Sequence, residues 1–281
     1  MRDFTLTVGQ WPVEPDRGAN LDRAEEFLRW SSDREADLCL LPEMFQTPYE
    51  LDVMKERAEP LDGPSARHIA ALAADLGVWV VAGSIPERLD GCLANTSIVF
   101  GSDGKPRGIH RKIHLFDVSL PNVRVKESSI FEPGQLPLVV DTPFCRLGVV
   151  ICYDVRFPAV FGFLEDQGVE VVAVPAAFSR TTGRAHWDVV MRSRAIDYQV
   201  FLAAACPAPN VASEYVAYGH SLIADPWGTL LAQAGEGAES IVARCEAEKI
   251  ERVRRELPLL AHRRRDLYRG WDEQAALKTR R

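Results

Sequence analysis

Short apolar runs alternate with helical patterns along this chain of 281 residues. In the first half, apolar runs at 4–8 and 37–41 flank a helical pattern over 20–28. In the second half, helices are predicted over 157–167 and 186–199, with apolar strands between and after them. Such alternation is typical of layered α/β folds, and strands without a polar face indicate sheets covered on both sides. We therefore expect an α/β fold built in layers.

The two halves are joined by segments that resemble hairpins, because a turn-rich stretch at 101–106 separates apolar runs at 93–100 and 108–113. No linker or change of composition interrupts the chain, so we predict a single domain over 1–281. Its arginine-rich C-terminal tail, from about 258 to 281, could dock on a partner subunit. A solvated run of charge is the simpler alternative.

Composition restricts the class of protein. With 47% hydrophobic residues the chain can bury a large core, and its net charge of −7 disfavours a nucleic-acid-binding surface. No apolar stretch approaches the roughly 20 residues needed to cross a bilayer. The six cysteines form no CxxC pair and accompany no secretory leader, which predicts a cytoplasmic location. The sequon Asn95-Thr96-Ser97 is then an accident of composition.

Cys152 ends the apolar run 145–152 and is followed by a turn into a helical pattern. At such a strand-to-helix corner, a thiol can feel the positive end of a helix dipole, and we expect this field to lower its pKa. Cys152 is therefore a candidate nucleophile. The alternative is a small buried core residue, which describes most free cysteines.

Three charged residues lie where secondary structure does not require charge. Glu43 follows a strand through Pro42 and could act as a general base, or be a solvent-facing carboxylate at a strand end. Lys112 ends a hairpin strand and could stabilise an oxyanion, or be an exposed basic strand end. Glu127 lies in a long loop over 121–134 and by itself indicates little.

His110 and His114 flank Lys112 and suggest a metal pair, but no third ligand accompanies them. We interpret them as core or surface imidazoles and expect no metal and no organic cofactor.

Four segments in register resemble the nitrilase (carbon–nitrogen hydrolase) superfamily, and the resemblance extends over essentially the whole chain. They are 41–43 (Leu-Pro-Glu), 110–117 (His-Arg-Lys-Ile-His-Leu-Phe-Asp), 126–128 (Lys-Glu-Ser) and 148–157 (Gly-Val-Val-Ile-Cys-Tyr-Asp-Val-Arg-Phe). The C-terminal half is similar to the ω-amidase (Nit2-like) branch. The stretches that carry this similarity are 177–187, 192–195, 218–221 and 225–228.

The resemblance implies a four-layer α-β-β-α sandwich whose subunits pair into a homodimer or a higher homo-oligomer. It also implies a Glu-Lys-Cys amidase with Cys152 as nucleophile, Glu43 as general base and later acid, and Lys112 as oxyanion stabiliser. Glu127 is then the second carboxylate, which positions the substrate and the lysine. The backbone N–H of Tyr153 joins Lys112 in holding the oxyanion.

The reaction implied is hydrolysis of an amide through a thioester on the cysteine, with water as the second substrate. ω-Amidases act on α-ketoglutaramate and α-ketosuccinamate, whose far carboxylate suits a guanidinium partner. Arg156 is our hypothesis for this partner, with Phe178, Thr182 and Tyr49 as further pocket residues. Arg156 could instead cap its surroundings or pair with Asp154.

Two positions depart from the ω-amidase pattern: Glu50 replaces glycine and Val125 replaces an aromatic residue. An added acid near the pocket mouth could disfavour dianionic substrates. Alternatives within the superfamily are amidases of deaminated glutathione, N-carbamoyl amino acid hydrolases and nitrilases. An alternative from another class is a thiol redox or nucleotide-binding module, although the chain has no GxGxxG after its first strand and no Walker spacing.

Overall fold

The computed structural model describes residues 1–268. In chain order its strands are β1 (Phe4–Gln10), β2 (Leu38–Leu40), β3 (Trp79–Val81), β4 (Ile85–Arg88), β5 (Leu93–Phe100), β6 (Pro106–Arg111), β7 (Asp117–Leu120), β8 (Val123–Lys126), β9 (Leu138–Asp141), β10 (Arg146–Val149), β11 (Val171–Pro175), β12 (Phe201–Ala205), β13 (Leu222–Ala224), β14 (Leu230–Gln233) and β15 (Glu239–Cys245). Its α-helices are α1 (Arg17–Ser32), α2 (Leu51–Glu56), α3 (Pro64–Leu76), α4 (Pro158–Asp166), α5 (Arg180–Tyr198), α6 (Ala247–Glu256) and α7 (Leu259–His262). Short 3-10 helices span Glu127–Ser129 and Cys152–Arg156.

These strands form two large sheets and one separate hairpin. The first sheet has the order β15-β1-β2-β3-β5-β4, with β6 paired to β5, and the second has the order β14-β13-β12-β11-β10-β9. The hairpin consists of β7 and β8. Within each large sheet the central strands are parallel, namely β1-β2-β3 and β10-β11-β12. Parallel neighbours need crossover connections, and helices α1, α3, α4 and α5 lie in those connections.

The core is divided by the two sheets into three apolar layers. On β2, Leu38 and Leu40 pack against residues of the second sheet, such as Val171 and Phe201. Cys39, between them, points the other way and packs among side chains of α1 and α3. The second sheet is covered likewise by α4 and α5. This alternation produces an α-β-β-α sandwich, and the predicted fold class is confirmed.

Local predictions were less complete. The last long helix, predicted from residue 186, already begins at Arg180, where the Ser179 side chain accepts a hydrogen bond from the Thr182 N–H. The segment 121–134 is not a structureless loop, because it contains β8 and a 3-10 helix. Strand β4 and helix α2 were not predicted, since both are too short to show a period.

The described part of the C-terminal tail docks on its own chain. Arg263 and Arg265 form ion pairs with Glu165 at the end of α4, and Arg264 pairs with Asp266. The basic residues at 278–281 lie outside the described residues. All six cysteines are free. No helix within residues 1–268 is both long enough and apolar enough to span a membrane.

Candidate active site

Glu43, Lys112, Glu127 and Cys152 converge on one buried point. Each follows the end of a strand: Glu43 comes shortly after β2, Lys112 directly after β6, Glu127 after β8, and Cys152 shortly after β10. Two of these strands belong to the first sheet, one to the second and one to the hairpin. The sandwich therefore brings together side chains that lie as far as 109 residues apart in sequence (152 − 43).

Lys112 lies between two carboxylates. Its Nζ donates to Glu43 Oε1 at 2.9 Å and to Glu127 Oε1 at 3.0 Å, and it lies 2.9 Å from Glu127 Oε2. All three side chains are fully buried. An ammonium and two carboxylates out of water keep their charges only if each is paired, so this arrangement is held together tightly.

Of the two acids, Glu127 accepts more hydrogen bonds. Besides Lys112, its carboxylate accepts the Tyr49 hydroxyl at 2.6 Å and the backbone N–H of Phe116 at 2.6 Å. The structure thus places Tyr49, predicted as a pocket residue, directly on the cluster. Such saturation fixes the carboxylate and, through it, the lysine.

The backbone is strained at two points next to the cluster. Cys152 adopts a left-handed φ of 46°, and Met44, directly after Glu43, has a φ of 52°. For non-glycine residues these values are uncommon and are concentrated at functional sites. Gly83 makes the Glu43 turn possible, because a Cβ there would lie 2.0 Å from the Pro42 carbonyl oxygen.

The prediction of a lowered pKa at Cys152 was wrong. Burial raises the pKa of the Cys152 thiol well above its usual range, and the negative charge of Glu43 raises it further. The charge of Lys112 and the backbone N–H of Ala177 act in the lowering direction but are outweighed. At rest the sulfur is therefore a thiol, and it needs a base beside it to become a nucleophile.

The charge states of its neighbours suit that need. Burial raises the pKa of Glu43, so this carboxyl group has a higher proton affinity than an ordinary glutamate. Burial by itself would lower the pKa of Lys112, but the charges of Glu127 and Glu43 raise it overall, so the lysine stays cationic. The cluster combines a neutral thiol, a strengthened base and a fixed positive charge.

A second network of hydrogen bonds holds the turn between β10 and α4, which contains Cys152 and is called the Cys152 corner below. Asp154 accepts the Ile151 N–H at 3.2 Å and makes contacts of 3.0 Å with His110 Nε2 and 2.8 Å with His114 Nδ1. It also accepts the His114 backbone N–H at 2.8 Å. The two histidines are thus partners of one aspartate rather than a metal pair, and no cluster of three possible ligands occurs within residues 1–268.

The carbon-nitrogen hydrolase family model matches residues 5–255. The chain belongs to the carbon–nitrogen hydrolase family. It is 40% identical to Omega-amidase NIT2 of Xenopus tropicalis over 95% of this chain and 98% of that protein, and 38% identical to the human Omega-amidase NIT2 over the same shares. The structure of Nit3 from Saccharomyces cerevisiae, a member of branch 10 of the nitrilase superfamily, superposes with a TM-score of 0.86 at 36% identity, covering 94% of this chain and 97% of Nit3.

This chain is therefore an amide-hydrolysing enzyme, and the predicted family is confirmed. Two cavities of the hydrolase meet beside the cluster. The inner cavity is small and is lined by Glu43, and the outer cavity, of about 520 Å³, is lined by none of the four cluster residues. Tyr49 and Tyr215 line both, with their rings 4.6 Å apart. The two tyrosines form the boundary between the base and the outer cavity.

The other predicted pocket residues lie around the Cys152 corner of the hydrolase. The Arg156 guanidinium lies 4.7 Å from the centre of the Phe178 ring, and its one polar partner in the described chain is His186 Nδ1 at 3.3 Å. Asp154 is not bonded to Arg156, so that alternative was wrong. Thr182 lies in the first turn of α5 and is bonded to Ser179. Neither cavity described above is lined by Arg156, Phe178 or Thr182.

Tyr153 is half-buried in the first turn of the 3-10 helix that Cys152 begins. First-turn N–H groups have no partner within their own helix, so this position can present a donor beside the sulfur.

Sequence reasoning missed two residues of the hydrolase site. Asn95 was dismissed as part of an accidental sequon, yet its side chain is 1% exposed and donates to Glu43 Oε1 at 2.8 Å. Tyr215 is half-buried, and its hydroxyl donates to the Ala177 carbonyl at 2.6 Å. No periodicity marks either residue, since both contacts join segments remote in sequence.

Proposed function

We propose that this enzyme hydrolyses the terminal amide of a small carboxylate-bearing substrate, of the type α-ketoglutaramate or α-ketosuccinamate, through a thioester on Cys152. The observation that carries the mechanism is the Glu43 carboxylate. Its Oε1 is held by Lys112 and Asn95, while its buried Oε2 has no hydrogen-bond partner among the described residues. A strengthened base with one open oxygen beside a thiol is suited to proton transfer.

In the first half-reaction, Glu43 takes the proton of the Cys152 thiol as sulfur attacks the amide carbon. The electron pair of the carbonyl moves to its oxygen, where Lys112 and the Tyr153 N–H stabilise it. Glu43 then gives its proton to the departing nitrogen, and ammonia leaves a thioester behind. One such oxyanion donor contributes about a hundredfold or more in rate.

In the second half-reaction, Glu43 removes a proton from water as the oxygen attacks the thioester carbon. Collapse of the tetrahedral intermediate releases the carboxylic acid, and the sulfur recovers its proton from Glu43. Glu127 performs no proton transfer in this scheme. Its bonds to Lys112, Tyr49 and Phe116 N–H hold the lysine where both oxyanions form.

For the substrate carboxylate we propose Arg156, with Phe178 and Thr182 as walls of a pocket at the Cys152 corner, separate from the two cavities described above. The single polar contact of Arg156 with His186 leaves most of its five donors available to a ligand. Glu50 and Val125, the two departures from the ω-amidase pattern, both line the outer cavity. We propose that they act on substrate entry rather than on the chemical step.

The test is an ammonia-release assay over α-ketoglutaramate, α-ketosuccinamate, deaminated glutathione, β-ureidopropionate, glutamine and a simple nitrile. We expect the two keto-acid amides to have the highest kcat/KM. A higher value for another compound would replace the proposed substrate, and turnover retained in Cys152→Ala would overturn thioester catalysis.

Arg156→Ala tests the carboxylate partner. Losing a charged hydrogen-bonding partner costs about 1.5–3 kcal/mol, so KM for α-ketoglutaramate should rise roughly tenfold to a hundredfold. A neutral amide substrate provides the control, because its KM should not change. An unchanged KM for the keto acid would exclude this role.

We also propose that the enzyme forms a homodimer or a higher homo-oligomer through the outer face of α5. Val189 and Ile196 on this helix are 70% and 37% exposed, and Ile196 contacts the turn that carries Trp227, which is 58% exposed. Large apolar side chains grouped in this way mark interaction surfaces. Sedimentation of Val189→Asp should show a smaller species than the unchanged protein.

The six free cysteines fit a reducing cytoplasm, where we place the enzyme. We propose that the whole chain acts as a single carbon–nitrogen hydrolase domain.

A further inference from the structure

Asn95 lies on β5 directly beside the end of β6. Its carbonyl accepts the Lys112 N–H at 2.9 Å, so backbone pairing places the two side chains next to each other. The Asn95 Nδ2 donates to Glu43 Oε1 at 2.8 Å and lies 3.5 Å from Glu127 Oε1. Among the described residues it is the one neutral side chain that hydrogen-bonds both carboxylates of the cluster.

The chemistry of its neighbours fixes the orientation of this amide. Turning it over would point the Oδ1 lone pairs at two carboxylate oxygens, so the NH₂ group must face the acids. In this orientation Oδ1 is buried and has no hydrogen-bond partner within residues 1–268. A buried acceptor without a partner is costly, which indicates that the donor on the other side of the amide contributes something that the site requires.

We propose that Asn95 is a positioning residue that determines which oxygen of Glu43 reacts. Together with Lys112 it occupies Oε1, so that Oε2 is the oxygen left free to exchange a proton with Cys152 and later with water. This inference deepens the proposed function and depends on its assignment of Glu43 as the base.

The same hydrogen bond has a second effect. A donor to a carboxylate favours its charged form, so we expect the Asn95 bond to act against burial, which raises the pKa of Glu43. Asn95 supplies this donor without adding charge to a cluster that already contains one cation and two acids. Aspartate at this position would instead add a third carboxylate.

The experiment measures alkylation of Cys152 by iodoacetamide as a function of pH, with the modified peptide quantified by mass spectrometry so that the other cysteines do not interfere. This readout needs deprotonated Glu43 but no particular amide substrate. The variants are Asn95→Ala and Asn95→Asp. The matched control is Asn20→Ala, which removes a buried asparagine side chain that bonds the backbone of Glu14, far from the cluster in sequence.

We expect the acid limb of the alkylation profile to move to higher pH in Asn95→Ala, and further in Asn95→Asp, because Glu43 then ionises only at higher pH. At neutral pH, kcat for the amide should fall about tenfold to a hundredfold in Asn95→Ala, with KM unchanged. Asn20→Ala should leave the limb in place even where it lowers Tm.

Coinciding acid limbs in Asn95→Ala and the unchanged enzyme would overturn the proposal, as would an equal shift in Asn20→Ala. A graded shift in an enzyme that turns over neither keto-acid amide would support the role of Asn95 and overturn the proposed substrate instead.

Discussion

Glu43 and Asp154 are both fully buried carboxylates near Cys152, yet their surroundings are opposite. Asp154 is saturated: Oδ1 meets the backbone N–H and ring of His114, and Oδ2 meets the ring of His110 and the Ile151 N–H. At Glu43, in the described part of the chain, N–H donors reach Oε1 only. Burial acts to raise the pKa of both groups. At Asp154 the hydrogen bonds to the two histidines outweigh burial, and they hold the pKa well below the usual range.

Burial by itself therefore does not make a carboxylate reactive. The number of hydrogen-bond donors determines whether a buried carboxylate can accept a proton, since each donor to the charged form lowers the proton affinity of that carboxylate. Asp154 is two residues after the nucleophile, but its saturated oxygens leave it only a structural use: it ties the end of β6 to the Cys152 corner. The Oε2 oxygen of Glu43 has no N–H donor in the described chain, and we expect this buried, unpaired oxygen to destabilise the fold.

The largest effect that separates the two acids is on activity. Glu43→Gln removes the proton acceptor with little change of shape, and general acid–base catalysis contributes about a hundredfold to ten-thousandfold. We expect kcat to fall by about a thousandfold or more, measured as ammonia release. Glu26→Gln, which changes a carboxylate that is 64% exposed, is the control and should be fully active. A Glu43→Gln enzyme within tenfold of the unchanged one would mean that another group is the base.

The next largest effect is on folding and concerns Asp154. Asp154→Asn keeps the shape but removes the charged acceptor of several buried donors, and leaving a buried donor unsatisfied costs about 1–3 kcal/mol. We expect the free energy of unfolding in urea at pH 7 to fall by about 3 kcal/mol. Asp16→Asn is the matched control, because Asp16 is the N-cap of α1 and asparagine caps a helix equally well. A loss no greater than in this control would contradict the comparison.

The sequence predicts the layers of the fold well, but it predicts poorly which groups donate hydrogen bonds to the buried side chains of the site. Strand–helix alternation indicated a layered α/β fold because it is a local signal. The motif resemblance indicated the four-layer sandwich together with Glu43, Lys112, Glu127 and Cys152. The pKa of Cys152 was predicted in the wrong direction, since the corner position is local but its burial and the nearness of Glu43 depend on packing between the two sheets.

Asn95 shows the limit most clearly. Its sequon context is visible in sequence, whereas its contact with Glu43 depends on the pairing of β5 with β6 and on the turn after β2. Asp154 was considered only as a partner for Arg156, because nothing in the sequence places the two histidines of the Lys112 segment around it. The number of donors that reach a buried carboxylate is set by the tertiary fold and leaves no local pattern in the sequence.

A smaller effect is the pH dependence of the Asp154 contribution. Because its folded pKa is lowered, its stabilisation is fully present above the unfolded value of about 3.9 and is lost as pH falls below it. The difference in unfolding free energy between the unchanged enzyme and Asp154→Asn should therefore stay constant between about pH 5 and 7 and shrink below about pH 4. Urea titrations across this range measure it. A difference that grows on acidification would show that Asp154 is protonated in the folded state.

The smallest effect is on the stability of Glu43→Gln, and its sign is opposite. Burial raises the folded pKa of Glu43 above the unfolded value of about 4.3, so ionising it destabilises the fold, and this cost appears as pH rises through 4.3. At pH 7 we expect Glu43→Gln to be more stable than the unchanged enzyme, with Tm higher by about 2–4 °C for each kcal/mol gained, and the gain should vanish near pH 4. Lys112 retains Glu127 as its counter-ion in this variant, so the substitution leaves no charge unpaired. A loss of stability at pH 7 would mean that the pairing of Glu43 with Lys112 outweighs its burial, and that the open oxygen has no energetic cost.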